Sequence, residues 1–124
     1  MIVSERSDSV LRKGSFFGVL PLSDGPLLAF GLRGNLYRSS DRGTTWQKVE
    51  TGTDATLISG LELGPGRLVL GGMAGTLLWS EDGGRTVRKQ ELPDRKAIVA
   101  LTRRDAGTLL LIGEGGIRKV DIHH

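Results

Sequence analysis

The chain contains 124 residues, of which 38% are hydrophobic, 25% are charged and 19 are glycine, a composition typical of one globular domain with a modest core. The absence of cysteine excludes disulfides, thiol nucleophiles and cysteine-ligated zinc. The net charge of +3 is spread along the sequence and only 5% of the residues are aromatic, so no nucleic-acid site is predicted. No apolar run is long enough to span a membrane and residues 1–6 have no signal-peptide core, which predicts no membrane span and no export and leaves the compartment unknown.

Short apolar runs separated by turn residues follow one another along the chain. They predict β-strands, because a helix would need about ten or more residues with a 3.6-residue period. After an N-terminal segment, residues 1–13, a first unit (14–54) has predicted strands at about 16–22, 27–31, 35–40 and 45–50. A second unit (55–95) has predicted strands at about 57–63, 67–72, 76–80 and 86–92. A third unit (96–122), followed by a tail at 123–124, has only three, at about 97–103, 108–113 and 116–121.

The three units are copies of one repeat within a single domain, residues 1–124. An offset of 41 residues aligns the chain without a gap from about residue 16 to about residue 121, and it superimposes Gly34, Gly75 and Gly116. The same offset relates two near-identical segments, residues 39–46 (SSDRGTTW) and 80–87 (SEDGGRTV). A period of this size is typical of one β-propeller blade. The sequence therefore predicts three consecutive blades.

The two near-identical segments are predicted to form tight turns between strands. In each turn an aspartate would accept hydrogen bonds from backbone N–H groups, a glycine would take a positive φ, and the last aromatic residue would pack beneath. The pattern resembles the Asp-box of the bacterial neuraminidase repeat, with Val87 in place of the expected tryptophan. The predicted structural residues are Ser39, Asp41, Gly43, Thr45, Trp46, Ser80, Asp82, Gly84 and Thr86.

A second resemblance covers nearly the whole chain. Residues 34–46 (GNLYRSSDRGTTW) look like the repeats of photosystem II assembly/stability-factor-like proteins. This resemblance implies an all-β propeller fold and a non-catalytic scaffold for protein–protein interaction or assembly. Members of that family usually have about six or seven blades and often an export signal, so the chain looks like a three-blade fragment or short form.

The alternative function is a glycan-binding or sialidase-like glycoside hydrolase module, because Asp-box propellers include sialidases. Such enzymes resemble one another in an arginine triad and a tyrosine nucleophile, and the only tyrosine, Tyr37, falls within the predicted third strand of the first unit. His123 and His124 are adjacent at the C-terminus and are interpreted as a tail. We therefore predict no catalytic residues, no metal ligands and no cofactor.

In a propeller, the turns between the second and third strands share one face with the connections between blades. That face would carry Arg33, Met73 and Glu114 from the turns, and Arg12, Lys13, Asp54, Arg95 and Lys96 from the connections. The excess of basic side chains is explained either by a solvated rim or by a protein partner with an acidic surface. The candidate partner-binding residues are Arg12, Lys13, Arg33, Arg95 and Lys96.

Three blades cannot close a ring of ordinary blade geometry, since propellers use at least about four. The simplest solution is a homodimer that forms a six-bladed ring. The third blade lacks a fourth strand, and an N-terminal segment around residues 2–6 or 10–12, contributed by the partner copy, is predicted to supply it because an open strand edge invites pairing.

Overall fold

The computed structural model describes residues 4–6 and 16–122, and for residues 4–6 it describes only the backbone. Three antiparallel sheets account for the strands of these residues. The first sheet contains β1 (Ser4–Arg6), β2 (Phe16–Pro21), β3 (Leu27–Gly31), β4 (Leu36–Ser39) and β5 (Thr45–Lys48). The second contains β6 (Leu57–Gly64), β7 (Arg67–Gly72), β8 (Thr76–Ser80) and β9 (Arg88–Glu91). The third contains β10 (Ile98–Asp105), β11 (Thr108–Gly113) and β12 (Gly116–Asp121).

The sheets have the form predicted for propeller blades. Strands β2 to β5 lie side by side in chain order, as do β6 to β9 and β10 to β12. The boundaries of these strands fall within about two residues of the predicted ones, because the turn residues between the apolar runs interrupt the strands. The prediction of an all-β fold built from propeller blades is confirmed, and the third sheet has three strands in the described chain.

The N-terminal segment forms a strand with the first sheet of its own chain. In this chain Ser4–Arg6 pairs with β5, the last strand of the first sheet, with Glu5 opposite Trp46. Within this chain it does not lie beside the third sheet, and the pairing of residues 2–6 with the third sheet of a partner copy stays a prediction. Without β1, the edge of β5 would expose unpaired backbone N–H and C=O groups, as the edge of β12 does. Pairing of Ser4–Arg6 with β5 gives these groups hydrogen-bond partners. The other candidate segment, residues 10–12, lies outside the described residues.

The third hairpin also departs from the gapless repeat. In the first sheet Phe30 pairs with Leu36. Two repeats later, 82 residues along the chain, the same pairing would join Ile112 to Arg118. Instead, Ile112 pairs with Ile117. The first two sheets use a short 3₁₀ turn at this position, Leu32–Gly34 and Met73–Gly75. The third has a two-residue turn, so its last strand is shifted by one position. Because strand side chains alternate between faces, the shift exchanges the two faces of β12.

The core lies between successive sheets. Leu28, Phe30 and Leu36 of the first sheet belong to one apolar cluster with residues of the second sheet, among them Leu68, Leu70 and Leu78. A second cluster joins the second and third sheets and includes Val69, Leu77, Trp79, Ile98, Leu109 and Leu111. Each fully buried leucine stabilises the fold by roughly 1.5–3 kcal/mol. The sheets therefore stack face to face along the chain.

Glycines at the ends of the second strands allow the connections between sheets to pass close by. A Cβ atom on Gly72 would lie 2.1 Å from the carbonyl oxygen of Thr56, and a Cβ on Gly113 would lie 2.1 Å from that of Ala97. The same two carbonyls accept hydrogen bonds from the N–H groups of Met73 (2.9 Å) and Glu114 (3.1 Å). Any side chain at these glycines would push the connection away. The repeat therefore requires glycine here, because of close backbone approach.

Candidate functional site

The loops at residues 39–46 and 80–87 are here called the first and second Asp-box loops, after the pattern that they resemble. The first loop is held by the side chains of Ser39 and Asp41. One carboxylate oxygen of Asp41 accepts hydrogen bonds from the Thr45 N–H (2.8 Å) and the Ser39 hydroxyl (2.8 Å), and the other accepts one from the Thr45 hydroxyl (2.6 Å). The Ser39 hydroxyl also accepts a hydrogen bond from the Gly43 N–H at 2.8 Å, and Gly43 has φ 90°. These contacts are those that the turn chemistry of the sequence predicts.

The second Asp-box loop, residues 80–87, repeats the same hydrogen bonds. Asp82 accepts from the Thr86 N–H (2.9 Å), from the Thr86 hydroxyl (2.6 Å) and from the Ser80 hydroxyl (2.9 Å). Ser80 accepts from the Gly84 N–H at 2.9 Å. Val87 is partly buried against the apolar cluster between the first two sheets. An aliphatic side chain therefore packs at the position that tryptophan occupies in the first loop.

Trp46 anchors the first loop to its sheet. Its side chain is 8% exposed and clusters with Ala29 and Tyr37. Its indole Nε1–H donates a hydrogen bond to the carbonyl of Gly43 at 3.1 Å. The ring thus fills an apolar position and satisfies its polar atom within the loop.

Hydrogen bonding stabilises the charged forms of both loop aspartates. Bonds from the hydroxyl and N–H of Thr45, with the Ser39 hydroxyl, lower the pKa of Asp41 from 3.8 to about 2. For Asp82, burial raises the pKa, but the hydrogen bonds from Thr86 and Ser80 together outweigh it and leave the pKa lowered. A carboxylate that accepts several hydrogen bonds resists protonation. Both aspartates therefore support the loops as anions.

We expect Asp41→Ala to lower the unfolding midpoint in urea at pH 7, and Asp41→Asn to lower it less because the amide oxygen still accepts a hydrogen bond. A depressed carboxyl pKa contributes stability above the unfolded-state value of 3.8, and that contribution is lost as the pH falls towards the folded-state value of about 2. The difference between wild type and Asp41→Ala should therefore shrink between pH 4 and pH 2. Identical unfolding curves for wild type and both variants at pH 7 would contradict the structural role of Asp41.

The face that carries the turns after β3 and β7 is here called the turn face. Of the predicted partner-binding residues, Arg33, Arg95 and Lys96 belong to the described part of the chain and lie in a turn or connection at this face. Arg33 is exposed, has a left-handed backbone (φ 58°) and lines a shallow cleft with Lys48 and Asp54. Arg95 also has a left-handed backbone (φ 53°), and its Cα lies against Gly75 of the second turn. The structure therefore places Arg33 and Arg95 in connections or turns of successive sheets, with no hydrogen bond or ion pair between them.

Acidic groups partly balance the charge of the turn face. Arg95 lies 4.0 Å from a carboxylate oxygen of Glu91, and the backbone N–H of Lys96 donates to Asp94. Glu114 is not free, because its carboxylate accepts a hydrogen bond from the Ala97 N–H at 2.6 Å. Two further candidates, Arg12 and Lys13, lie outside the described residues. The turn face is thus a mixed-charge surface with exposed arginines.

The buried position of Tyr37 does not suit the tyrosine nucleophile of a sialidase-like hydrolase. Tyr37 is 6% exposed and its ring packs edge-on against Phe16, with centroids 5.9 Å apart, so a substrate cannot reach it from solvent. Within residues 4–6 and 16–122, no group of three or more histidine, cysteine, aspartate or glutamate side chains is placed to hold a metal ion. The same residues contain no helix long and apolar enough to cross a membrane.

Sequence reasoning missed a second basic site on the opposite edge of the sheets. Arg38, Arg42 and Arg85 line one cleft between the first and second sheets. Arg85 is distant in sequence from Arg38 and Arg42. All three lie in or next to the Asp-box loops, but none of them belongs to the residues that define the Asp-box pattern. One signal was present: Arg42 occupies the repeat position that is Gly83 in the second loop.

No family model matches the sequence, and no curated protein matches it. Among solved structures, the chain is similar to YCF48 bound to D1 peptide, with a TM-score of 0.73 and 18% sequence identity, over 90% of this chain and 38% of that one. It is also similar to YCF48 from Cyanidioschyzon merolae, with a TM-score of 0.52 and 11% identity, over 90% of this chain and 51% of that one. The chain thus spans about half or less of these structures. At these identities the similarity establishes the fold, which is that of consecutive β-propeller blades.

Proposed function

We propose that the chain is a non-catalytic scaffold that binds a protein partner through its turn face. The observation that carries this proposal is the exposure of Arg33 and Arg95 on short turns whose backbones are fixed by the adjoining sheets. The Thr51 hydroxyl donates to the Gly34 carbonyl at 2.9 Å, which ties the first turn to the connection that follows the first sheet. Basic side chains on a rigid support favour recognition of an acidic surface.

The left-handed backbone conformation of Arg33 and Arg95 supports the same proposal. A non-glycine residue at positive φ costs about 1 kcal/mol, and Arg33 and Arg95 both accept this cost. Ala74 occupies the position of Arg33 in the second turn, with φ 56°, so the turn itself does not need arginine. The long cationic side chain at residue 33 is therefore interpreted as serving recognition.

The fold comparison favours this function class. One of the two YCF48 structures holds a D1 peptide, so a related arrangement of blades binds a polypeptide. For this chain we propose a partner with an acidic surface, because a basic rim increases the rate and specificity of association with such a surface.

We expect the double substitution Arg33→Glu/Arg95→Glu to weaken binding of a fluorescent glutamate-rich peptide by at least about tenfold, a loss of roughly 1.4 kcal/mol. Fluorescence anisotropy at low and physiological salt measures the affinity. The matched control is Arg67→Glu/Arg104→Glu, which makes the same change in net charge at positions away from the turn face. Equal losses in the two variants, or no binding by wild type, would contradict a specific site on this face.

We also propose that a second copy covers the open side of the third sheet. Phe30 and Leu36 are buried between the first two sheets, whereas the pair at the corresponding place, Ile112 and Ile117, is 38% and 72% exposed. A Cβ atom at Gly60 would contact the Phe30 ring at 3.3 Å, so this position faces the preceding sheet. Its counterpart in the first sheet, Val19, is 57% exposed.

These two exposed surfaces occupy the repeat positions that contact each other between the first and second sheets, so they are expected to fit together. Ile112 and Ile117 of one copy would contact Val19 and Phe17 of the next copy. This contact would resemble the one between Phe30 and the position of Gly60 in the second sheet. Two copies joined in this manner form a six-bladed ring with twofold symmetry. Ala29, Tyr37 and Trp46 are already buried, so the contact would centre on β2 of one copy and on β11 and β12 of the other.

A further inference from the structure

An open cleft of about 540 Å³ lies between the first and second sheets, on the edge opposite the turn face. The turn between β2 and β3 forms one wall with Asp24, Gly25 and Pro26, and the two Asp-box loops supply most of the remainder. Three arginines, Arg38, Arg42 and Arg85, and two aspartates, Asp24 and Asp82, line it. Its ionisable lining therefore carries one net positive charge.

Arg38 is the buried member of this group. Its side chain is 8% exposed, and its Nε–H donates to the carbonyl of Gly83 at 2.8 Å. None of the ion pairs among the described residues involves Arg38. A buried guanidinium normally has a carboxylate partner, because an unpaired buried charge is costly.

Burial and the charges around Arg38 do not all act on its pKa in the same direction. Burial is the main cause that lowers its pKa, and the neighbouring charge of Arg85 lowers it further, while Asp24 and Asp82 act in the opposite direction. Both carboxylate oxygens of Asp82 already accept hydrogen bonds within the second loop. The aspartates therefore reduce the positive potential of the cleft without pairing with Arg38.

Arg42 adds a second observation at the cleft. It has φ 62° in the first loop, where the equivalent residue of the second loop is Gly83 with φ 72°. Arginine is less stable than glycine in this left-handed conformation by about 1 kcal/mol. Because the second loop has glycine at this position, the loop itself does not need arginine, which points to a role for the Arg42 side chain.

We propose that this cleft binds a compact tetrahedral oxyanion of the phosphate or sulfate class. The two Nη groups of Arg38 make no hydrogen bond to the protein among the described residues, and Arg42 and Arg85 flank them at the same opening. Guanidinium groups bind such oxyanions through paired hydrogen bonds. The site is separate from the turn face, so it can be occupied whether or not a protein partner is bound.

Titration of the intact protein with inorganic phosphate and, separately, inorganic sulfate tests the proposal. Isothermal calorimetry at constant ionic strength should give saturable binding at one site for at least one of the two anions. Arg42→Gly should weaken that binding about tenfold, as expected for loss of a charge-assisted contact, and should leave the unfolding midpoint unchanged or higher because glycine suits the left-handed backbone. Arg85→Ala should weaken binding without unfolding the protein.

The control is Arg104→Ala, which removes one positive charge from an exposed position on β10. It should leave anion affinity unchanged. Non-saturable heats in wild type, or equal affinity in wild type and Arg42→Gly, would overturn the proposal. A glutamate-rich peptide that binds wild type and is lost in Arg42→Gly, with no binding of either inorganic anion, would assign the cleft to carboxylates and would equally overturn it.

Discussion

We expect Gly72→Ala to lower the free energy of unfolding by about 3 kcal/mol or more. The new Cβ would lie 2.1 Å from the carbonyl oxygen of Thr56 and 2.9 Å from the Cα of Leu57, so the connection between the first and second sheets must move. This movement introduces packing strain and breaks the hydrogen bond from the Met73 N–H to the Thr56 carbonyl, and both effects lower the stability. Urea unfolding monitored by tryptophan fluorescence measures the change.

The matched control for Gly72→Ala is Gly64→Ala, near the end of β6. A Cβ at Gly64 would meet no atom within 4 Å, so this variant should unfold within about 1 kcal/mol of wild type. If the two alanine variants have the same stability, close approach of the connection is not the reason for glycine at residue 72.

We expect Trp46→Ala to destabilise the protein by about 3–5 kcal/mol, because it removes a large buried ring beneath the first Asp-box loop. Trp46→Phe should cost less, since it keeps most of the apolar contact with Ala29 and Tyr37 while it loses the hydrogen bond to Gly43. Trp79 remains as the fluorescent reporter in both variants. A loss below about 1 kcal/mol for Trp46→Ala would show that the ring does not anchor the loop.

The strands and the Asp-box loops could be predicted because their causes are local in sequence. Turn residues interrupt each apolar run, and Asp41 contacts residues at most four positions away. The 41-residue period then extended the same reasoning to the second loop. Interactions of this kind depend on neighbouring residues alone, so their residue types indicate the structure directly.

The features that the sequence did not predict depend on distant contacts or on a single shifted residue. The arginine cleft requires Arg38 to reach Gly83, 45 residues away, and no local pattern marks that meeting. The third hairpin keeps the glycine positions of the repeat but makes a tighter turn, which moves Ile117 to the exposed side. Strand Ser4–Arg6 pairs with β5, although its sequence would suit any open strand edge.

The mass of the particle in solution tests most directly whether the three sheets are blades of a closed ring. Size exclusion with light scattering should give about twice the chain mass of 13.3 kDa, and Ile117→Lys should shift the protein to monomer by placing a charge in the proposed contact. Lys119→Ala, on the same strand, is the control for a change in surface charge. A stable monomer of the wild-type chain would contradict ring closure by two copies, and a particle of three chains would contradict a six-bladed ring.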